Sequence, residues 1–576
     1  MNSLRPYQRE SLDCVRSRYA AGVHRQLIAM PTGSGKTVVF AHIPALAELP
    51  EGQTLVIAHR EELLDQAADK IRRWNPTLKA SIEQAERFAD SDADVVVASV
   101  ATLGRKVSKR RKRFNWDKIT KCVVDESHHA CASQYKTLLT AGGFLDENSK
   151  KLLLGVTATP NRADGQPLAE VFDEIVFSYP LRQCIEDGWL SDITCFRVAT
   201  RTCLDKVHTV AGDFNQGELA DEVNTPERNK IIVDAWLQRG VGRQTIMFTV
   251  DIQHAVDLAA MLQAHGVRAD AVWGDDPDRP DKIAAHKRGD ITVLTNCGVL
   301  TEGYDDPEVS CIVTARPTKS SLLFQQMVGR GTRLETGVEN RLTHPFPLRK
   351  PNCLILDVID NSKRHSLATV PSLFGMPAEL DIHGQSVTGS LKKLEDAERE
   401  YPQINLEGLT DIENLASFIE KVSLWEVQFA PEVVEHSTLS WFRTMDGYAL
   451  ALPSGEKATI KQNLLGKFEI SMVLNGKKYS GESDSLESAF KSADATIQNH
   501  GANTLRMVSR NERWHNDPAS PRQLATLRKL YKHRVVPANL SKGAASRLIA
   551  QFFATKPGPE RPQWLRDKIA RGKNVA

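Results

Sequence analysis

Short apolar runs rich in β-branched residues alternate with longer stretches of helical spacing over the first 365 residues. QLIAM (26–30), TLVIAH (54–59), ADVVVAS (93–99), CVVDE (122–126) and LLLGVTAT (152–159) each lead into polar or turn residues and then a helix-like segment. A strand that stays apolar on both of its faces is covered on both, as in a parallel sheet flanked by helices. The rhythm pauses over 186–228 and resumes with QTIMFTV (244–250), ITVLTN (291–296), CIVTAR (311–316) and NCLILDVI (352–359). The pattern predicts two tandem α/β domains, 1–185 and 226–365, joined by a linker at 186–225. Residues 366–435 show no clear period and are read as a bridging segment.

The texture then changes. Over 436–504, alternating strands are interrupted at Asp446-Gly447, Ser454-Gly455 and Asn475-Gly476 and followed by the helical stretch 485–500. Those dipeptides are hairpin turn signals, so a small antiparallel sheet plus a helix is expected. In the last segment, 505–576, Ser520 and Pro521 suit the N-cap and first turn of a helix whose Leu524, Leu527, Leu530 and Tyr531 share one face. A second helix is expected over 540–553, capped by Ser541.

Composition adds one asymmetry. The chain has 576 residues, 41% hydrophobic and 25% charged, which fits three or four soluble domains. Its net charge is +2, yet residues 505–576 hold 16 Lys or Arg against 4 Asp or Glu. A net of +12 in that segment against −10 in the rest makes the C-terminal region a candidate polyanion surface. The nine cysteines form no C-x-x-C pair, which argues against a disulfide framework or zinc ribbon. The opening MNSLRPYQRE lacks an apolar core of a secretory signal, and no apolar run reaches the length of a membrane span. The resulting expectation is a cytoplasmic, nucleoid-associated chain with no membrane partner.

Two stretches carry recognisable chemistry. MPTGSGKT (30–37) follows the first strand and precedes a helix. Thr32, Gly33, Ser34 and Gly35 can close backbone N–H groups around phosphate oxygens, Lys36 can reach the β- and γ-phosphates, and Thr37 can ligate Mg²⁺. VVDESHHACASQY (123–135) gathers Asp125, Glu126, His128, His129 and Cys131, which invites a zinc reading. Against zinc stand the lack of a second ligand cluster, and histidines expected on different sides of their backbone. At the carboxyl end of a parallel strand, Asp125 would instead hold the magnesium shell and Glu126 would take a proton from the attacking water. His128 is expected to hydrogen-bond across an interdomain cleft, and His129 to be structural.

The order of motifs resembles superfamily 2 helicases of the DExH type, above all the branch containing the XPB, RadD and UvsW helicases and restriction-enzyme motor subunits. The matching stretches are LRPYQ (4–8), AHREELLDQ (58–66), SVATLGR (99–105), DESH (125–128), TATP (157–160), MFTVDIQHA (247–255), VLTEGYDDP (299–307) and QQMVGRGTR (325–333). Met30, where the strict phosphate-loop pattern has glycine, is no departure within this family. The resemblance implies two RecA-like domains with ATP between them. It implies Gln8, with Arg5 and Tyr7 nearby, at the adenine, and Asp305 at the ribose or the arginine network. Arg330 and Arg333 would reach the γ-phosphate, Gln326 would organise the cleft, and Thr157 and Thr159 would couple nucleotide state to the strand-binding face. Arg60, Thr102 and Thr301 occupy positions of nucleic-acid contact.

Two basic features extend that track. RKVSKRRKR (105–113), beginning at Arg105, follows SVATLGR directly, with a solvated basic loop as the alternative. Arg522, Arg528, Lys529 and Lys532 give the first tail helix a basic face that could grip DNA, with a charged helical cap as the alternative. Trp441, Phe442, Tyr448 and Phe468 could stack bases, though aromatics in a half-buried sheet are more often core. The expected function is an ATP- and Mg²⁺-dependent DNA helicase or translocase on duplex, forked or branched DNA, in repair, recombination or defence. The alternatives are a nucleic-acid-gated ATPase switch, an RNA helicase, and the motor of a restriction complex whose nuclease or repair partner is a separate chain.

Overall fold

The computed structural model describes residues 4–555, apart from 60, 106, 159–167, 211, 363, 401–403, 405, 422–428, 445–446, 453–456, 464–465, 475–476, 501–507, 510–516, 532–535 and 537–539. The fold is α/β, with two RecA-like parallel-sheet domains followed by a small antiparallel-sheet domain. By compactness the chain divides into one unit of residues 1–391 with 410–412 and a second of 392–409 with 413–576.

The first unit opens with a seven-stranded sheet. Its strands are β1 (Arg25–Ala29), β2 (Gln53–Ala58), β3 (Ala80–Glu83), β4 (Val95–Ser99), β5 (Ile119–Asp125), β6 (Leu152–Thr157) and β7 (Glu174–Ser178). Their order is β3-β4-β2-β5-β6-β1-β7, and every pairing is parallel. All carboxyl ends therefore lie on one rim. The apolar strands β4 and β6 are buried along their whole length, because helices cover both faces of the sheet. The short strands β3 and β7, which lie at the two edges, are only half-buried and were not legible as apolar runs.

The second sheet begins earlier than expected. Residues assigned to the linker form β8 (Asp192–Cys203), followed by a two-stranded hairpin of β9 (Thr209–Val210) and β10 (Asp213–Phe214). The sheet continues with β11 (Thr245–Phe248), β12 (Ala269–Val272), β13 (Val293–Asn296), β14 (Cys311–Thr314) and β15 (Asn352–Asn361). The order is β12-β13-β11-β14-β15-β8, again wholly parallel. As an edge strand β8 alternates buried and open positions, a pattern unlike the continuous apolar runs of the interior strands. Arg228 and Asp360 form a fully buried pair that also takes in the Thr200 hydroxyl and the Ala315 carbonyl, fixing β8 and β15 against the helix Pro226–Arg239.

In the second unit five antiparallel strands form a meander. They are β16 (Phe442–Thr444), β17 (Gly447–Ala451), β18 (Lys457–Gln462), β19 (Phe468–Leu474) and β20 (Lys477–Ser483). The helix Leu486–His500 supplies Phe490, Ala493 and Ile497 to their core. Trp441, Phe442 and Tyr448 are buried in this unit and the partly buried Phe468 packs against its core, so these aromatics pack the sheet. The tail is not a separate body. Val508 completes the core of the sheet, and Ala550 packs on Phe442 and Ala449. Ser520 caps the helix Pro521–Leu530, and the Ser541 hydroxyl accepts the Ala544 N–H in the helix Lys542–Thr555. No helix among the described residues is long and apolar enough to cross a membrane.

Candidate active site

The loop after β1 turns sharply because Gly33 and Gly35 adopt positive φ, at 84° and 88°. It delivers Lys36 to the start of the helix Lys36–Ala41, and Thr37 follows, half-buried. The Ser34 hydroxyl donates to the Pro31 carbonyl, while the Ser34 carbonyl accepts from Tyr7 Oη at 2.6 Å and Gln8 Nε2 at 3.1 Å. Gln8 Oε1 in turn accepts the Arg5 N–H, so this amide is committed on both sides and braces the phosphate loop. Arg5 donates to the Tyr7 hydroxyl and lies 5.3 Å from the centre of the Trp189 ring. Tyr7 stacks on Tyr179 with 4.5 Å between centroids. Tyr179 and Trp189, which no sequence motif marks, thus complete an aromatic wall beside Arg5.

Asp125 and Glu126 end β5 on the same rim. Glu126 holds a left-handed backbone at φ 44°, which is costly for a side chain with a Cβ and is common where geometry serves a site. Its Oε1 lies 3.1 Å from Lys36 Nζ, with both side chains nearly buried. Burial, and then the Glu126 charge, push Asp125 up to about 7. Burial opposes ionisation of Glu126 as well, yet Lys36 and His128 outweigh it and hold that carboxyl below its usual range.

The turn that follows corrects the expectation for the two histidines. His128 Nδ1 lies 3.2 Å from Thr157 Oγ1, within the first sheet domain, and burial lowers its pKa to about 4. His129 is the residue that looks across, with Nε2 3.8 Å from Glu302 Oε1. The two rings do not diverge; their centroids are 4.1 Å apart, because the left-handed residue before them tightens the turn.

Glu302 belongs to the second sheet domain and is only 8% exposed. Its Oε2 lies 2.6 Å from His59 Nε2, which follows β2 of the first domain, and its Oε1 accepts from Gln326 Nε2 at 3.1 Å. His59, His129 and Glu302 bring one ligand atom each within 4.8 Å of one another, a loose grouping for a metal. The 2.6 Å spacing is that of a hydrogen bond, so the group reads as a cross-domain network.

The helix Ser321–Gly329 brings QQMVGRGTR to the phosphate loop. A Cβ at Gly329 would fall 2.7 Å from Thr32 Cβ, so the close approach requires glycine. Arg333 pairs with Asp305, and its Cγ lies 3.0 Å from where a Cβ on Gly33 would stand. Arg330 is placed differently. Its guanidinium donates to the carbonyls of Thr301 and Tyr304 at 2.7–3.1 Å, all within the second domain. The structure thus brings together Lys36, Asp125, Glu126, Gly33 and Arg333, with Gln326 close behind through Glu302, and uses Arg330 to brace the Thr301–Tyr304 segment.

The expected nucleic-acid residues are spread more widely. Thr102 is half-buried in the short helix Val100–Leu103, and its carbonyl accepts from Ser108 Oγ. Arg105 is exposed with its Nε on the Ala101 carbonyl. Thr301 is buried, with its carbonyl held by Arg330. Arg522, Arg528 and Lys529 are exposed on the helix Pro521–Leu530. Arg60, Thr159 and Lys532 lie outside the described residues.

Comparison with known proteins identifies the domains. Residues 1–162 match the family described as Type III restriction enzyme, res subunit, and residues 227–335 match Helicase conserved C-terminal domain. Residues 421–574 match Mitochondrial helicase Irc3, C-terminal domain. The Schizosaccharomyces pombe protein named mitochondrial ATP-dependent helicase irc3 is 31% identical over 547 residues, spanning 91% of this chain and 86% of that one. The Saccharomyces cerevisiae protein named ATP-dependent helicase IRC3 is 32% identical over 400 residues, 67% of this chain but 55% of that one. A type I restriction enzyme EcoAI endonuclease subunit of Escherichia coli is 26% identical over 364 residues, 58% of this chain and 44% of that one. The expected cytoplasmic, nucleoid-associated location is overturned by the mitochondrial description of the fission-yeast relative and of the C-terminal family. That expectation rested on missing signals for secretion and membrane spanning, and neither distinguishes one aqueous compartment from another. The shared C-terminal domain and the 86% coverage of the fission-yeast protein place this chain in the Irc3 family, among the superfamily 2 helicases related to restriction-enzyme motor subunits.

Proposed function

We propose that this chain is an ATP-dependent DNA helicase or translocase that acts on duplex, forked or branched DNA. The observation that carries the reading is the seat of Arg333, from the second sheet domain, against Gly33 of the phosphate loop that also carries Lys36, itself paired with Glu126. A guanidinium delivered from a separate domain stabilises transferring phosphoryl charge only while the cleft is closed, which ties hydrolysis to domain movement.

In this mechanism Gly33, Ser34, Gly35 and Lys36 hold the phosphates, and Glu126 accepts the proton of the attacking water. Arg333, oriented by Asp305, faces the γ-phosphate, while Arg330 keeps the Thr301–Tyr304 loop in register. The hydroxyl of Thr37 and the carboxylate of Asp125 are hard oxygen donors of the kind Mg²⁺ prefers, and they would hold it. Bound there, the ion would neutralise phosphate charge. His128 and Thr157 pass the state of Glu126 toward the segment carrying Thr159. Arg60, Thr102, Arg105 and Thr301 are assigned to contact with the strand, and Arg522, Arg528, Lys529 and Lys532 to further phosphate contacts. Such contacts hold the backbone and read little sequence.

The test is ATP turnover measured with single-stranded, duplex and forked DNA and with RNA, alongside displacement of a labelled strand. Stimulation by forked or duplex DNA with strand displacement is expected. Stimulation by RNA alone would replace the DNA reading, and stimulated turnover without displacement of either a paired or a triplex-forming strand would favour a switch. Co-purification with a nuclease would favour a restriction-type motor.

A further inference from the structure

We infer that Phe88 is a stacking platform for an unpaired base, carried on a rigid loop of the first sheet domain. This rests on the nucleic-acid reading above and adds to it a residue that no motif includes. Phe88 is 57% exposed, in the loop between β3 and β4. A lone exposed aromatic needs no explanation, but this one is built into place. The Arg110 guanidinium lies 3.7 Å from the ring centroid and that of Arg113 4.8 Å, so two cations stand over the ring while more than half of the residue stays exposed.

The support beneath the ring is a set of hydrogen bonds and ion pairs anchored on the buried Glu83. Glu83 pairs with Arg110 at 3.3 Å and accepts the Ala89 N–H at 2.7 Å, tying both flanks of Phe88 to the end of β3. Gln84 and Arg87 exchange backbone hydrogen bonds around Ala85, whose φ is 41°, and Arg87 pairs with Asp65. Two acidic side chains of the loop, Asp90 and Asp92, pair with Lys79. The basic segment is fixed as well. Ser108 Oγ donates to the Thr102 carbonyl, and Arg111 donates to the carbonyls of Leu103 and Arg105.

Position supplies the occupant. The loop leaves the carboxyl end of β3, on the rim that also carries the phosphate loop, His59, Thr102 and Glu126. A base laid on the exposed surface of Phe88 would join the ring and its guanidinium neighbours in one stack, and Arg113 and Lys112, both exposed, would meet its phosphates. An unpaired strand offers both groups together; a base-paired duplex shows only phosphates here, with its base faces already stacked.

The test uses the full chain and two labelled probes of equal length, oligo(dT) and the same backbone with abasic sugars at its centre, read by fluorescence anisotropy. Phe88→Ala should bind oligo(dT) about tenfold more weakly than the native chain, with Phe88→Tyr within about twofold of native. On the abasic probe the native chain and Phe88→Ala should bind alike. An equal loss on both probes, or no loss on oligo(dT), overturns the platform while leaving the helicase reading intact. A native chain that binds neither probe overturns the nucleic-acid reading and this proposal with it.

Discussion

Arg333 lies against Gly33: its Cγ stands 3.0 Å from the position a Cβ on that glycine would take, although the two residues come from different sheet domains. If this guanidinium neutralises phosphoryl charge, Arg333→Ala should cut single-turnover ATP hydrolysis by about a thousandfold. Binding of a fluorescent ATP analogue should change only a few-fold. Native turnover in the variant would remove Arg333 from the chemistry.

The Lys36–Glu126 pair separates binding from catalysis. Glu126→Gln keeps the shape and hydrogen-bonding capacity of the side chain but cannot take a proton. It should retain ATP binding and lose about 10²–10⁴ in turnover, the usual contribution of a general base. Lys36→Ala should lose binding and turnover together, since it removes the cationic side chain of the phosphate loop. Turnover surviving Glu126→Gln would reassign the base.

What could be read in the chain before its structure follows from how local each signal is. The interior strands were legible because burial on both faces leaves continuous apolar runs. The edge strand β12 (ADAV) is short and β8 alternates, so neither showed the same signature. The helix Val387–Glu400 was missed although Val387, Leu391, Leu394 and Ala397 are all buried at helical spacing; Gly389 in its first turn weakened the pattern. At the site, phosphate loop and carboxylates are contiguous motifs and could be found by eye. His59 and Glu302 both lie in motif stretches, AHREELLDQ and VLTEGYDDP, but their contact spans 243 positions and nothing local pairs them, so His128 was given the role that His129 holds.

That contact makes its own prediction. Glu302 gathers His59 from the first domain and Gln326 from the second, so either change should disturb the closed cleft. His59→Ala and Glu302→Ala should each lower DNA-stimulated turnover. In a double-mutant cycle on the stimulated rate, the pair should show a coupling of about 0.5–3 kcal/mol. Strictly additive effects would mean that the two side chains touch without linking the domains.

In the antiparallel-sheet unit, Asp494 accepts from Trp441 Nε1 at 2.9 Å and from Ser437 Oγ at 2.6 Å, with Trp441 fully buried. Asp494→Ala strands two buried donors, at a cost of about 2–4 kcal/mol. For a unit of this size that corresponds to a fall of roughly 4–16 °C in its melting midpoint. An unshifted transition in near-ultraviolet circular dichroism would show that water satisfies both donors.

The tail can be tested only by charge, because its backbone is part of the fold. Cutting at 505 would remove Val508 from the sheet core and Ala550 from Phe442 and Ala449, so weaker DNA binding by a truncated chain would say nothing about phosphate contacts. Arg522, Arg528 and Lys529 are exposed on one helix whose buried residue is Leu527, and changing them to glutamine leaves that packing alone. Each cation withdrawn from a phosphate should flatten the plot of log affinity against log salt by about 0.9 on duplex DNA, so the triple variant should lose up to about three times that slope. Affinity should fall at low salt and converge with the native chain at high salt. A parallel plot, shifted but not flattened, would mean that these cations touch no phosphate and serve only to keep the helix soluble.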